Sequence, residues 1–244
     1  MRTLSIARLG RVPYASAQAL QRELVGLRRN RDIGDTLLLL EHLPVFTLGR
    51  LQSCDQNVLA TREEIAAAGA SVEQSERGGN VTFHGPGQLV AYPILDLADH
   101  RKNMHWFVHS LEDVMIETAA SFGVTARRGE PGEEGVWVED RKLGALGVHV
   151  RRWVTSHGIA LNVDPDLGFF DMIVPCGLHA KPVTSLAREV APDRSVSMHE
   201  ATQHFTRAFS AAFALEAVEE ETPAWLAACR GEYPLSTWRG GPDM

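Results

Sequence analysis

Along residues 14–27 the apolar positions Ala17, Leu20, Leu24 and Leu27 fall three or four apart, the spacing of one helical face. Residues 36–42 (TLLLLEH) form instead an unbroken apolar run of strand length, which predicts a buried strand. Helical spacing returns with Phe107, Leu111, Met115, Thr118 and Phe122, and Gly123 follows as the stop. Ser197 stands three residues before Glu200, a capping-box spacing, and the helix it opens places Ala201, Phe205, Ala208 and Ala212 on one stripe. Between these helices the period shortens. Residues 135–152 read as two strands joined near 139–141, because VWV and GVHV favour extended chain and a polar cluster separates them. Ile159, Leu161 and Val163 continue the alternation, and LVAYPIL (89–95) is a further strand. Strands in runs with helices elsewhere predict an α+β domain with a mixed, mostly antiparallel sheet flanked by helices, not a doubly wound one. From residue 216 onward charge, proline and tryptophan mix, which predicts a short helix over 223–229 and then a loose end.

At 244 residues, 44% hydrophobic and 23% charged, the chain is long enough for a substantial core and has an ordinary globular composition. A net charge of -7 argues against nucleic acid as a partner, since phosphate binding needs a surplus of Lys and Arg. The basic clusters Arg28–Arg29–Asn30–Arg31, Arg127–Arg128 and Arg151–Arg152 read first as solvated surface charge, with docking of an acidic protein as the alternative. The opening MRTLSIARLGRVPY lacks the apolar core of a signal peptide, and no window has the length and apolarity of a membrane span. Cys54, Cys176 and Cys229 are odd in number and lack CxxC spacing, so a reducing, cytoplasmic setting is expected rather than a disulfide framework.

The densest chemistry lies in RGGNVTFHGPG, residues 77–87, where four glycines accompany Arg77 and His84. Glycines let backbone N–H groups approach a ligand closely, so the segment reads as a cradle feeding a strand. It matches neither the phosphate-binding GxxxxGK[ST] nor the dinucleotide GxGxxG pattern. His84, His149, His157 and His179 with Cys176 lack HxxxH or HExxH spacing, so no metal is expected. No GxSxG elbow supports a serine hydrolase. Cys176 sits between Pro175 and Gly177, a turn context that presents a thiol rather than packing it. A free thiol of pKa roughly 8.5 is only a few per cent thiolate at neutral pH, so a nucleophilic cysteine needs an activator. His84 and Lys142 are the candidates, although local sequence alone reads Lys142 as a solvent-exposed turn residue.

RGGNVTFHGPGQLVAYP, KLGALGV, SHGIALNV and IVPCG with the later VTSL together resemble the lipoyl(octanoyl) transferases, octanoyl-[acyl carrier protein]–protein N-octanoyltransferases. LLLLEHLPVFTLGR is similar to the family's first strand region, where Leu43 departs from the more usual EHPPV. The matching blocks run in the family's order from about Thr36 to Leu186. The resemblance implies a single α+β domain related to biotin and lipoate protein ligases, over residues 1–220, with 221–244 as a tail. It implies a ping-pong acyl transfer without cofactor. Cys176 would take the octanoyl group from acyl carrier protein as a thioester, and Lys142 would lower its pKa and act as base. The acceptor would be a specific lysine on the lipoyl domain of a 2-oxoacid dehydrogenase E2 subunit or on the glycine-cleavage H protein. Carried onto this chain, the acyl-binding residues would be Arg77, Gly78, Gly79, Asn80, Val81, Thr82, Phe83 and His84, then Ala145, Leu146 and Gly147, then Gly158, Ile159 and Ala160. No membrane partner is implied, and a monomer is expected. The alternatives are an ATP-dependent lipoate or biotin ligase and a non-catalytic acyl-binding protein. Cys54 and Cys229 match no block and read as packing or surface thiols.

Overall fold

In a computed structural model describing residues 2–51, 54–174, 181–190 and 194–219, the apolar run becomes the middle of a strand covered on both faces. That strand, β2 (Asp35–His42), is preceded by β1 (Arg2–Val12) and the helix α1 (Tyr14–Asn30), and it pairs in parallel with β1. Its alternation is hidden by burial: Leu37 and Leu39 pack under two later helices, while Leu38 and Leu40 pack against Ala17, Leu20 and Leu24 of α1.

The next three strands, β3 (Val45–Leu48), β4 (Ser71–Gln74) and β5 (Thr82–His84), form a small separate sheet with α2 (Arg62–Ala67) between β3 and β4. The chain then returns to the large sheet as β6 (Gln88–Ile94), crosses it with α3 (Met104–Ser121), and adds β7 (Arg127–Arg128), β8 (Val136–Val138), β9 (Arg141–Arg151) and β10 (Val154–Asn162). The short α4 (Leu186–Glu189), α5 (Met198–Phe213) and β11 (Leu215–Glu219) complete it. The eight-stranded order is β11-β1-β2-β6-β10-β9-β8-β7, parallel at β11/β1 and β1/β2 and antiparallel elsewhere. The expected mixed, mostly antiparallel sheet flanked by helices is therefore the architecture found.

Three local expectations change. In α5, Ser197 caps through the Glu200 N–H as expected, but the core face is Ala201, Phe205, Phe209 and Phe213, and Ala212 is exposed. Large aromatic rings outcompete alanines for the interior because they remove more apolar area from water. Residues 216–219 belong to the edge strand β11, not to a tail; the helix expected over 223–229 lies outside the described residues. Nor is all of the 28–31 cluster surface charge. Arg28 is buried, donating to Asp35 Oδ1 at 2.9 Å and to Asp99 Oδ2 at 2.7 Å, while His100 Nε2 lies 2.7 Å from Asp35 Oδ2.

Burial alone would raise the Asp35 pKa, yet His100 and Arg28 hold it below its ordinary value. A depressed carboxylate stabilises the fold above its unfolded-state pKa and loses that contribution as pH falls through the folded value. Asp35→Asn is therefore expected to destabilise the protein by about 1.5–3 kcal/mol near neutral pH, because the charged bonds to Arg28 and His100 are lost while Arg28 keeps Asp99 at 2.7 Å. Urea unfolding measures the difference, which narrows in acid.

Candidate active site

A cavity of about 380 Å³ opens between the α1 face of the large sheet and the loop that enters β5. Its floor is a stretch of the β9/β10 ladder in which Ala145 faces Ala160, Leu146 faces Ile159, Gly147 faces Gly158 and Val148 faces His157. Arg77, Gly78, Gly79 and Asn80 cover it, Thr82 and His84 wall it from β5, and Tyr14 and Tyr92 close it from α1 and β6. The cover is tied down: Gly78 N–H donates to the Val148 carbonyl at 3.2 Å, and Arg77 donates to Thr47 O at 2.7 Å. A Cβ on Gly147 would lie 3.0 Å from Arg77 Cδ, so glycine there lets the arginine stem lie directly on the strand.

Twelve of the fourteen residues proposed from sequence to bind the acyl group line this cavity. The other two, Val81 and Phe83, point away from it into a second core, where Phe83 stacks on Phe169 with ring centroids 4.4 Å apart. Alternation along residues 81–84 produces that division, with Thr82 and His84 on the cavity side and Val81 and Phe83 on the other.

Lys142, the second residue of β9, is not a solvent-exposed turn lysine but is 6% exposed. It borders a small cavity with Gln88 and Asn162, and that cavity shares Thr82, Ala145 and Ala160 with the larger one. Its backbone N–H donates to the Pro182 carbonyl, and its carbonyl accepts from Thr184 N–H, both at 2.9 Å. Glu189 locks this pairing, accepting from Arg141 at 2.8 Å and from the Thr184 hydroxyl at 2.6 Å. On the other flank of the PCG motif, Val174 N–H donates to the Asn57 carbonyl at 2.7 Å and Ile173 bridges Val58. Cys176 itself lies outside the described residues, as does Cys229. Cys54 is buried, its thiol pKa raised chiefly by burial and its Sγ donating to the Gly49 carbonyl at 3.4 Å, which suits packing rather than reaction.

Histidines and tyrosines from distant segments meet at the closed side. His42 Nδ1 donates to the Val12 carbonyl at 3.0 Å, so its Nε2 accepts from the Tyr92 hydroxyl at 2.7 Å. His84 Nδ1 donates to Gln88 Oε1 at 3.1 Å, because the Gln88 amide is already committed to Phe83 O and Asn162 Oδ1. That leaves His84 Nε2 as an acceptor on a residue lining the cavity. Burial is the main cause that holds His42 down to about 4 and His157 down to about 3, and it keeps His84 well below the usual histidine value, with His42 and Arg77 adding to it. These rings are therefore neutral at pH 7. Tyr14, His42 and Tyr92 escaped the sequence reading because no spacing joins them; the one hint was a histidine ending an otherwise apolar strand.

Among the described residues no group of three or more His, Cys, Asp or Glu is arranged to hold a metal ion, and no helix is long and apolar enough to cross a membrane. The model of the lipoyl protein ligase A/B catalytic domain matches residues 13–210. An octanoyltransferase of Solibacter usitatus is 47% identical over 216 residues, 88% of this chain and 96% of that one. A mitochondrial octanoyltransferase of Arabidopsis thaliana is 44% identical over 212 residues, 86% and 90% of the two chains. Among solved structures, a lipoate-protein ligase A bound with ATP superposes with a TM-score of 0.74 at 15% identity, covering 93% of this chain and 92% of that one. A bi-partite lipoate protein ligase from Thermoplasma acidophilum gives 0.71 at 15% identity, covering 93% and 89%. At that identity the likeness is one of fold.

Proposed function

Since the chain belongs to the lipoyl protein ligase A/B catalytic-domain family, we propose that it moves an octanoyl group from acyl carrier protein to a specific lysine of a lipoyl domain through a thioester on Cys176. The observation that carries this reading is the shared wall: Thr82, Ala145 and Ala160 border both the large cavity and the small one beside buried Lys142. The three ladder steps from Ala145 to Val148 span about 10 Å, the reach of an extended eight-carbon chain. The acyl tail lies along them, with its carbonyl at the Lys142 end.

In the first half-reaction the Cys176 thiolate attacks the donor's thioester carbonyl. A carbon–sulfur bond forms to Cys176, the bond to the carrier's thiol breaks, and Lys142 returns a proton to that leaving sulfur. In the second, the acceptor's neutral amine attacks the acyl-enzyme, its nitrogen loses a proton to Lys142, and Cys176 departs as thiolate with the octanoyl amide complete. Thioester to amide is downhill, so neither ATP nor a metal is required. Preorganised donors at the developing oxyanion lower the barrier of each step. E2 lipoyl domains and the glycine-cleavage H protein are the acceptors, and the free nucleophilic thiol suits a reducing cytoplasm.

Incubation with octanoyl-acyl carrier protein and a lipoyl domain, without ATP, tests the reading. Transfer is the expected result; transfer that needs free octanoate and ATP identifies a ligase instead. Chain-length selection tests the placement of the tail. Ala145→Leu puts a branched side chain into the slot, and overpacking of this kind is expected to lower kcat/KM for octanoyl about tenfold or more while sparing a short acyl donor.

A further inference from the structure

We propose that Trp137 is a positioning residue for Lys142, holding its ammonium group on the face of a buried indole where the adjoining ladder is deliberately out of step. The inference rests on the role given to Lys142 above. Trp137 is fully buried, and Lys142 Nζ lies 5.3 Å from its ring centroid. The two are direct partners across β8 and β9, so their side chains share one face of the sheet. That partnership depends on a β-bulge. Val136 pairs with Gly144, yet Trp137 pairs with Lys142, so Leu143 is the extra residue. In an unbroken ladder Trp137 would face Leu143, and Lys142 would face Val138. Bulges re-aim side chains, and this one brings a cation to an aromatic ring.

The ring cannot turn away. Its Nε1–H donates to the Glu133 carbonyl at 2.9 Å. A second ammonium, that of Lys181, lies 5.6 Å from the same centroid, and the Glu133 carboxylate pairs with it at 3.0 Å. One residue thus fixes the indole through its backbone and balances the neighbouring charge through its side chain. Gly135 leaves the space for the lysine stem: it has φ +118°, and a Cβ there would lie 2.9 Å from Lys142 Cε and 2.4 Å from the Gly144 carbonyl oxygen. The other side chains bordering the small cavity beside Lys142 include Thr82, Gln88 and Asn162, none of them charged. A cation–π contact of this kind is attractive, and more so in a desolvated site, so the indole fixes where the Lys142 amine sits.

Steady-state octanoyl transfer, thermal unfolding and the pH dependence of Cys176 alkylation, followed by peptide mass, are measured on Trp137→Leu, Trp137→Phe and Lys142→Met. Trp137→Leu is expected to lower kcat about tenfold with KM for octanoyl-acyl carrier protein unchanged, and to move the alkylation midpoint to higher pH, towards that of Lys142→Met. Trp137→Phe keeps a weaker π-face and is expected to fall between wild type and leucine in both readouts. A folded Trp137→Leu enzyme with wild-type kcat and midpoint, beside an inactive Lys142→Met, overturns the inference and leaves the role of Lys142 standing. An active Lys142→Met enzyme overturns that role itself. If the leucine variant does not fold, an unshifted midpoint in Trp137→Phe decides against the inference.

Discussion

Cys176→Ala is expected to abolish octanoyl transfer, by roughly 10⁴-fold or more, while leaving thermal unfolding unchanged. A ping-pong route has no bypass: without a sulfur to receive the acyl group, the acceptor amine would have to meet the donor's thioester directly. Cys54 cannot substitute, since its thiol is buried, donates to the Gly49 carbonyl and has its pKa raised. Single-turnover assays with octanoyl-acyl carrier protein measure the loss, and residual turnover near the wild-type rate would remove the covalent step.

Lys142→Met should be nearly as severe, lowering kcat about 10³-fold, within the range that positioned acid–base groups contribute. Methionine preserves much of the stem packed beside Trp137 and Gly135, so the fold is retained while the ammonium is lost. Two functions disappear together. On the proposed mechanism the Cys176 thiol would lose its electrostatic support and behave as a free thiol of pKa roughly 8.5, few of which are ionised at neutral pH. The departing carrier thiol also loses its proton donor. Higher pH should therefore restore part of the acylation rate in Lys142→Met, because hydroxide replaces the first function but not the second. A variant whose rate loss is independent of pH would contradict the thiol-ionising role of Lys142 and leave only the proton-donating one.

Much of the scaffold was legible because burial and periodicity agree in it. The run 37–40 had to be covered on both sides, and the helical stripes of α1 and α3 had only one face to bury. The β9/β10 strands were legible from their alternation, whereas their part in the cavity floor came only from the family resemblance. β1 was not, since its apolar positions are divided between two faces and interrupted by Ser5, Arg8 and Gly10. β11 was not either: a short edge strand has little pattern of its own and exists through pairing with β1. At Lys142 the local text points the wrong way. The polar residues 139–141 announce a turn, whereas the bulge at Leu143 and the pairing with residues 182–184 bury the lysine, and both are tertiary events. The His42–Tyr92 and Tyr14–Ser75 bonds join segments 50 and 61 residues apart, which no local motif encodes. Periodicity singles out neither a cysteine nor a lysine; the pairing of Cys176 with Lys142 is what the family resemblance implies.

Intact-protein mass spectrometry after mixing the enzyme with octanoyl-acyl carrier protein, with no ATP and no acceptor, tests the covalent route most directly. One octanoyl group should be gained, released by hydroxylamine, mapped to the peptide holding Cys176, and discharged when a lipoyl domain is added. Octanoyl transfer by an enzyme whose mass never changes, or an adduct carried elsewhere than on Cys176, would contradict it.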